Sequence, residues 1–174
     1  YETENIKLNK DGSFDQKDID HAFVGRGNKT SAVVQDIVDK ANQRNARAVL
    51  IYAATIDHCY EIMESLPNYN SAMMHGGMSD KENKQAVQDL RDGKIRYLVN
   101  VGMAAVGLSI NHIDIIAFLR LTESSRFYTQ VLGRGMRLDE FKEDFWVLDY
   151  TANQENLFPD GDLFNPIIIA YGKK

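Results

Sequence analysis

Apolar residues recur along this chain in two alternating rhythms. Between Thr30 and Gln43, the residues Val33, Val34, Ile37, Val38 and Ala41 fall on one stripe at helical spacing. The next run, Arg47 to Ala53 (RAVLIYA), is short and continuously apolar, the pattern of a strand buried on both faces. The alternation then repeats. Ile56 to Leu66 reads as a helix bounded by Pro67, and Tyr69 to Met74 as a strand. Ser79-Asp-Lys-Glu82 is a capping box that should start a helix running to about Arg91 and stopped by Gly93. Strands are predicted over Ile95 to Val101, Ile113 to Leu119 and Phe145 to Tyr150, with a glycine-punctuated loop from Gly102 to Asn111 and a helix from Ser124 to about Arg137. Before this pattern, residues 1–27 are polar and lack sustained periodicity, like a linker or an arm from a preceding domain. After it, residues 153–174 read as a tail that wraps the surface, with Ile167 to Ala170 a candidate edge strand.

Apolar strands alternating with amphipathic helices specify an open α/β fold, a mainly parallel sheet with helices on both faces, over about residues 28–152. In such sheets ligands gather at the carboxyl ends of the strands. The loops after Ala53, Met74, Val101, Leu119 and Tyr150 should therefore share one edge.

Composition narrows the chemistry. The single cysteine, Cys59, excludes an internal disulfide and reads as a small core residue on a helix. His21, His58, His75 and His112 lack metal-ligand spacing, so no metal site is expected. No run reaches the roughly 20 apolar residues of a membrane span, and no export signal opens the chain. A cytoplasmic protein of a bacterial or phage-infected cell, with no membrane partner and monomeric as this piece, is the expectation. A net charge of −5 argues against a basic surface that binds nucleic acid throughout, but allows local phosphate contacts.

Three constellations carry chemistry. In Gln130-Val-Leu-Gly-Arg134-Gly-Met-Arg137, a helix would place Gln130, Arg134 and Arg137 at i, i+4 and i+7 on one face, a clamp for phosphate oxygens. The plain alternative is a solvated basic helix end. Gly133 and Gly135 favour the first reading, because each costs about 1 kcal/mol in a helix unless close backbone approach is needed. Asn100-Val-Gly102-Met-Ala-Ala-Val-Gly107-Leu-Ser109 follows a strand, where successive amides can cradle an anion. His75-Gly76-Gly77 before the capped helix is a turn with the same potential. Gly25-Arg-Gly-Asn-Lys29-Thr30 lacks the spacing of a phosphate loop and reads instead as a helix start capped by Thr30 or Asn28. The chain thus has no Walker A of its own.

In this order and spacing, the features from about Thr30 to Asn156 resemble the second RecA-like domain of a superfamily 2 helicase or translocase, of the DEAD/DEAH-like and restriction-motor-related kind. AVLIYAATIDH (48–58) is similar to motif IV, NVGMAAVGLS (100–109) to motif V and QVLGRGMR (130–137) to motif VI, while MMHGGMSDKENKQAVQDLRDGKIRYLVNV (73–101) and VLDY (147–150) follow the surrounding pattern. The resemblance implies that Arg134 and Arg137 are arginine fingers and that Gln130 assists at the γ-phosphate. It implies nucleotide contacts from Gly107 and Ser109, and nucleic-acid contacts from Thr55, His75, Gly76, Asn100 and Gly102. ATP and Mg²⁺ would be bound mainly by an N-terminal RecA-like domain of the same polypeptide, and DNA is favoured over RNA as the partner. Three departures stand out: Ser109 replaces a usual acidic residue, Ala105 or Val106 a frequent Thr, and Asn83 a common Arg. Asp114 is a candidate to supply the missing carboxylate through a shifted loop. The alternatives are the translocase module of a type I or III restriction subunit, and a non-catalytic nucleic-acid-binding module.

Overall fold

The computed structural model describes residues 1–102, 110–122 and 124–158. Five parallel strands form one sheet in the order β2-β3-β1-β4-β5, with β1 Ala48–Ala53, β2 Ser71–His75, β3 Tyr97–Val101, β4 Ile113–Leu119 and β5 Trp146–Asp149. Every residue of β1 and β4 is buried, as their unbroken apolar runs require. One face is covered by α2 (Gly27–Gln43) and α3 (Ile56–Ser65), the other by α4 (Asp80–Arg91) and α5 (Ser125–Gly135). Cys59 lies fully buried on α3. No described helix is long and apolar enough to cross a membrane.

Local signals set several boundaries. Ser79 caps α4, the Ser79 and Glu82 side chains closing the box in both directions, and Gly93, at φ +72°, ends it. Elsewhere the boundaries move. α2 begins at Gly27, one turn before Thr30, with Arg26 at its N-cap and no side-chain cap. Thr30 is buried inside the helix, its hydroxyl bonded to Tyr1, and so does not cap it. The second strand starts at Ser71 because a 3₁₀ turn, Asn68–Asn70, leaves Tyr69 exposed. Asp114 is the second residue of β4 and is buried. Its carboxylate accepts from the Arg47 backbone (2.7 Å) and pairs with the Arg47 guanidinium. The part of the glycine loop that it was a candidate to serve, residues 103–109, lies outside the described residues.

The polar N-terminal segment holds a helix, α1 (Gln16–Phe23), capped by Asp15, whose Ile19, Ala22 and Phe23 pack against Leu121. Tyr1 seals this junction. Its ring meets Phe23, and its hydroxyl bonds His58 Nε2 (3.0 Å). Ala54 N–H donates to His58 Nδ1 (3.3 Å), so Nε2 carries the proton and donates to Tyr1. Burial lowers the His58 pKa to about 4, and protonating Nδ1 would set a donor against the Ala54 N–H. The folded pKa lies below the unfolded value of about 6.5, so the unfolded chain binds the extra proton first. Stability is therefore complete above pH 6.5 and falls, by on the order of 3 kcal/mol, as pH drops toward 4. Urea unfolding at pH 7.5 and pH 5 should show about 2 kcal/mol of this loss in the native chain and not in His58→Gln; an equal loss in both would remove His58 as its source.

The region after β5 is also part of the fold. α6 (Asn153–Leu157) starts with a fully buried Asn153 that ties the ends of β4 and β5 together. Its Oδ1 accepts from Thr122 N–H (2.9 Å), while Nδ2 donates to the Arg120 carbonyl and the Thr151 hydroxyl (both 2.8 Å). The candidate strand Ile167–Ala170 lies outside the described residues.

Candidate nucleic-acid and phosphate interface

Because the sheet is parallel, the loops leaving its strands share one edge. In sheet order, Gly76 follows β2, Gly102 follows β3, Thr55 lies just past β1 and Arg120 follows β4. Thr55 caps α3, its hydroxyl accepting from His58 N–H (3.1 Å), so the amides of a helix N-terminus open onto this edge. Gly76 is exposed. Gly102 takes the left-handed conformation, φ +64°, with nothing within 4 Å of an added Cβ, so its backbone is open to close approach. Gly107 and Ser109 lie outside the described residues.

Two expected contact residues sit beneath the surface. Asn100 is fully buried on β3, its Nδ2 donating to the Ile51 carbonyl (3.3 Å). His75 is buried as well. Its Nδ1 accepts from Gly77 N–H (3.1 Å), and its backbone N–H and carbonyl are both held by the Asn83 carboxamide (3.2 and 3.1 Å). The side chains of Asn100 and His75 thus shape the edge from below. Asn83 is a buried clamp on the end of β2.

α5 carries the arginines, and an aromatic column seats it. The Tyr52 ring stacks on Phe118 (5.5 Å) and meets Phe127 edge-on (5.7 Å), and Phe118 stacks on Tyr128 (4.7 Å). Such pairs add roughly 0.5–1.5 kcal/mol each beyond burial. Ser124 caps the helix through Phe127 N–H (3.1 Å). Gln130 and Arg134 lie one turn apart, Gln130 exposed and Arg134 half-buried beside the Tyr52 hydroxyl.

Arg137 departs from the helical expectation. α5 ends at Gly135 with Met136 as its C-cap, so Arg137 lies just beyond the helix. Two distant residues set that end. The Lys142 ammonium bonds the carbonyls of Gly135 and Arg137, and an added Cβ at Gly135 would lie 2.3 Å from the Phe145 ring. Arg137 nevertheless stays close to Arg134. Burial lowers the Arg134 pKa; the Tyr52 hydroxyl opposes that shift and the Arg137 charge adds to it. Since arginine stays protonated in proteins, an arriving anion would relieve both burdens at once.

The two glycines of this helix divide in role. Gly135→Ala should cost about 1–3 kcal/mol by overpacking against Phe145. At Gly133 an added Cβ meets nothing within 4 Å, so Gly133→Ala should gain up to about 1 kcal/mol of helix propensity. Urea midpoints of the two variants check this, and equal midpoints would mean that the Phe145 ring swings aside without cost.

Arg120 is the basic residue of this edge that periodicity does not mark. Its signal is positional: a charge placed directly after an apolar strand. Among the described residues, no group of three or more His, Cys, Asp or Glu side chains is disposed to hold a metal ion.

Comparison with known proteins agrees with this geometry. Over 108 residues the chain is 30% identical to a protein described as a mitochondrial ATP-dependent helicase, irc3, of Schizosaccharomyces pombe, covering 61% of this chain and 18% of that one. It is 30% identical over 89 residues to the ATP-dependent RNA helicase DeaD of Klebsiella pneumoniae, covering 50% and 14%. The chain therefore spans less than a fifth of the length of these relatives. Among solved structures, a fragment of an HsdR subunit of a type I restriction enzyme from Vibrio vulnificus superposes with TM-score 0.69 at 17% identity, covering 85% of this chain and 31% of that one. The Escherichia coli DEAD-box protein SrmB, bound to regulator of ribonuclease activity A, does so with TM-score 0.60 at 18% identity, covering 79% of each. Both show the same fold. The helicase conserved C-terminal domain matches residues 29–139, well over half of the sequence, and the chain belongs to that family.

Proposed function

We propose that this chain is the C-terminal motor domain of an ATP-dependent helicase or translocase, acting on nucleic acid together with an N-terminal RecA-like domain of the same polypeptide. The observation that carries the reading is the position of Arg134, half-buried on α5 beside the aromatic column, with Arg137 just past the helix end. Guanidinium groups brought to a transferring phosphoryl group stabilise the charge that develops there.

The residues present fit a phosphate and not a whole nucleotide site. Two arginines stand at the end of α5, but the Gly25–Thr30 segment is a helix start, and no phosphate loop precedes a helix among the described residues. ATP and Mg²⁺ are therefore assigned to the preceding domain, where they supply the γ-phosphoryl group and its charge neutralisation. In that arrangement Arg134 and Arg137 bind and orient the phosphates, with Gln130 one turn away on the exposed side of α5. Gly76, Gly102 and the α3 N-terminus at Thr55 offer backbone donors to the phosphodiester chain. His75 and Asn100 lie beneath this edge, His75 accepting from Gly77 N–H and Asn100 donating to the Ile51 carbonyl. Gly107 and Ser109 are proposed as the nucleotide side of the loop after β3.

Relatives are named as RNA helicases and as a restriction subunit, so both polymers belong in the test. The 174-residue chain alone should hydrolyse no ATP. The full-length polypeptide should hydrolyse it and be stimulated by single-stranded DNA, RNA or both. Hydrolysis by the isolated chain that an Arg134→Ala control does not abolish would point to a contaminant; hydrolysis that it does abolish would overturn the two-domain reading. A full-length polypeptide that binds strands without hydrolysing ATP would favour the non-catalytic binding module.

A further inference from the structure

A helix leaves its last carbonyls without donors of its own, and α5 ends before the second of its arginines is reached. Lys142 closes that end. Its ammonium donates to the carbonyls of Gly135, of Arg137 (3.4 Å) and of Asn111 (3.4 Å), the last of these ahead of β4. A charged lysine has three donors, one for each carbonyl, and a cation at this end also suits the helix dipole. Burial lowers the Lys142 pKa to about 8, with Asp114 and Asp139 opposing the shift and Arg47 and Arg44 adding to it. At pH 7 the ammonium is therefore the main form.

The lysine is itself held in place. Its ammonium lies 5.5 Å from the centre of the Phe145 ring, a cation–π distance, and the same ring closes over Gly135. Lys142 N–H donates to the Asp139 carbonyl (3.1 Å), and Phe141 N–H to the Asp139 carboxylate (3.2 Å), so residues 139–142 form a tight turn. That carboxylate also accepts from the Arg47 guanidinium (2.8 Å), and Arg47 pairs with the buried Asp114 of β4. A path of polar contacts thus runs from the sheet, through the turn, to the Arg137 carbonyl. Arg137 N–H still reaches the Arg134 carbonyl (3.4 Å), but its own carbonyl lies past the helix and is taken by Lys142.

The geometry points to Lys142 as a positioning residue for ATP hydrolysis, one that acts through Arg137, an inference that rests on the motor reading above. Lys142 fixes the main-chain origin of the Arg137 side chain and leaves the contacts of its guanidinium to other groups. Such placement matters because a shift of about 1 Å at a reacting group costs on the order of 10²-fold in rate. A group that acts only in the transition state lowers kcat when it is misplaced and leaves KM unchanged.

The test uses the full-length polypeptide at neutral pH with Lys142→Met, Lys142→Gln and Lys142→Arg. Strand-stimulated hydrolysis gives kcat and KM for ATP, and thermal midpoints report the fold. Lys142→Met, which keeps the length and loses every donor, should lower kcat about 10- to 100-fold with KM for ATP unchanged. Lys142→Gln, shorter and uncharged, should lose about tenfold and keeps the test open if methionine unfolds the chain. Lys142→Arg retains charge and donors and should recover most of the rate. Each change is repeated in Arg137→Ala, where Lys142→Met should cause no further loss because the group it positions is gone. The proposal is overturned if a folded Lys142→Met or Lys142→Gln keeps native kcat, if Lys142→Arg loses as much as Lys142→Met, or if the loss is the same with and without the Arg137 side chain. If neither methionine nor glutamine gives a folded chain, Lys142 is structural and the proposal falls. Arg137→Ala alone separates the two readings. If it keeps full turnover, the motor reading fails; if it loses turnover while the Lys142 variants behave as native, only this inference fails.

Discussion

Arg134→Ala or Arg137→Ala in the full-length polypeptide is expected to lower strand-stimulated ATP hydrolysis by about 10³-fold or more, the usual loss when an arginine finger is removed. The fold should survive. Arg134 is half-buried against a column whose stability comes from Tyr52, Phe118, Phe127 and Tyr128, and Arg137 lies beyond the helix end. Removing either guanidinium also relieves like-charge repulsion with the other. Thermal midpoints should therefore stay within a few degrees of the native value while turnover collapses. Single-turnover hydrolysis with saturating ATP and strand is the decisive measurement. Native rates in both variants would make the α5 arginines structural and remove the observation on which the function rests.

The second large effect lies in a residue with no chemistry to perform. Asn153→Ala should destabilise the chain by about 3–5 kcal/mol. The carboxamide is fully buried, and its loss would leave the Thr122 N–H and the Arg120 carbonyl without their bonds to it. The Thr122 N–H, left unsatisfied, costs about 1–3 kcal/mol, while the Arg120 carbonyl, which keeps the Thr151 hydroxyl, and that hydroxyl each lose one bond worth about 1 kcal/mol. Asp149 depends on the same staple: it accepts from Thr151 N–H (3.1 Å) and from Gln154 N–H (2.9 Å), and its charge lies beside the buried Tyr128 hydroxyl. A chain ending at residue 152 should lose as much. Chemical denaturation of Asn153→Ala and of the shortened chain checks both, and a loss below 1 kcal/mol in either would mean that water replaces the carboxamide.

Where the information was local, the sequence was readable. The Ser79–Glu82 box, the Gly93 stop and the continuous β1 and β4 runs each determine an element within a few residues, and the parallel sheet follows from their alternation. The misplaced features are those set by distant partners. α5 stops before Arg137 because Lys142 and Phe145 close on Gly135, from a segment that periodicity does not connect to the helix. Asn153 reads as a polar tail residue until β4 and β5 are adjacent. α1 did leave a trace, an Asp15 cap followed by Ile19, Ala22 and Phe23 at helical spacing, but polar neighbours diluted it. Burial of Asn100 and His75 could not be read at all, since it depends on which face of the sheet a pleat presents and on what lies above it.

The two sides of α5 obey different rules of change. Val131, Leu132 and Gly135 face a packed interior in which neither added nor lost volume is absorbed. Thr129, Gln130 and Gly133 are exposed, and among the described residues an added Cβ at Gly133 meets nothing within 4 Å. Among descendants of this sequence, folding alone would let the outward positions drift freely. Whatever restraint they show is therefore a record of molecules outside this domain, written on a stretch of helix where packing leaves no mark.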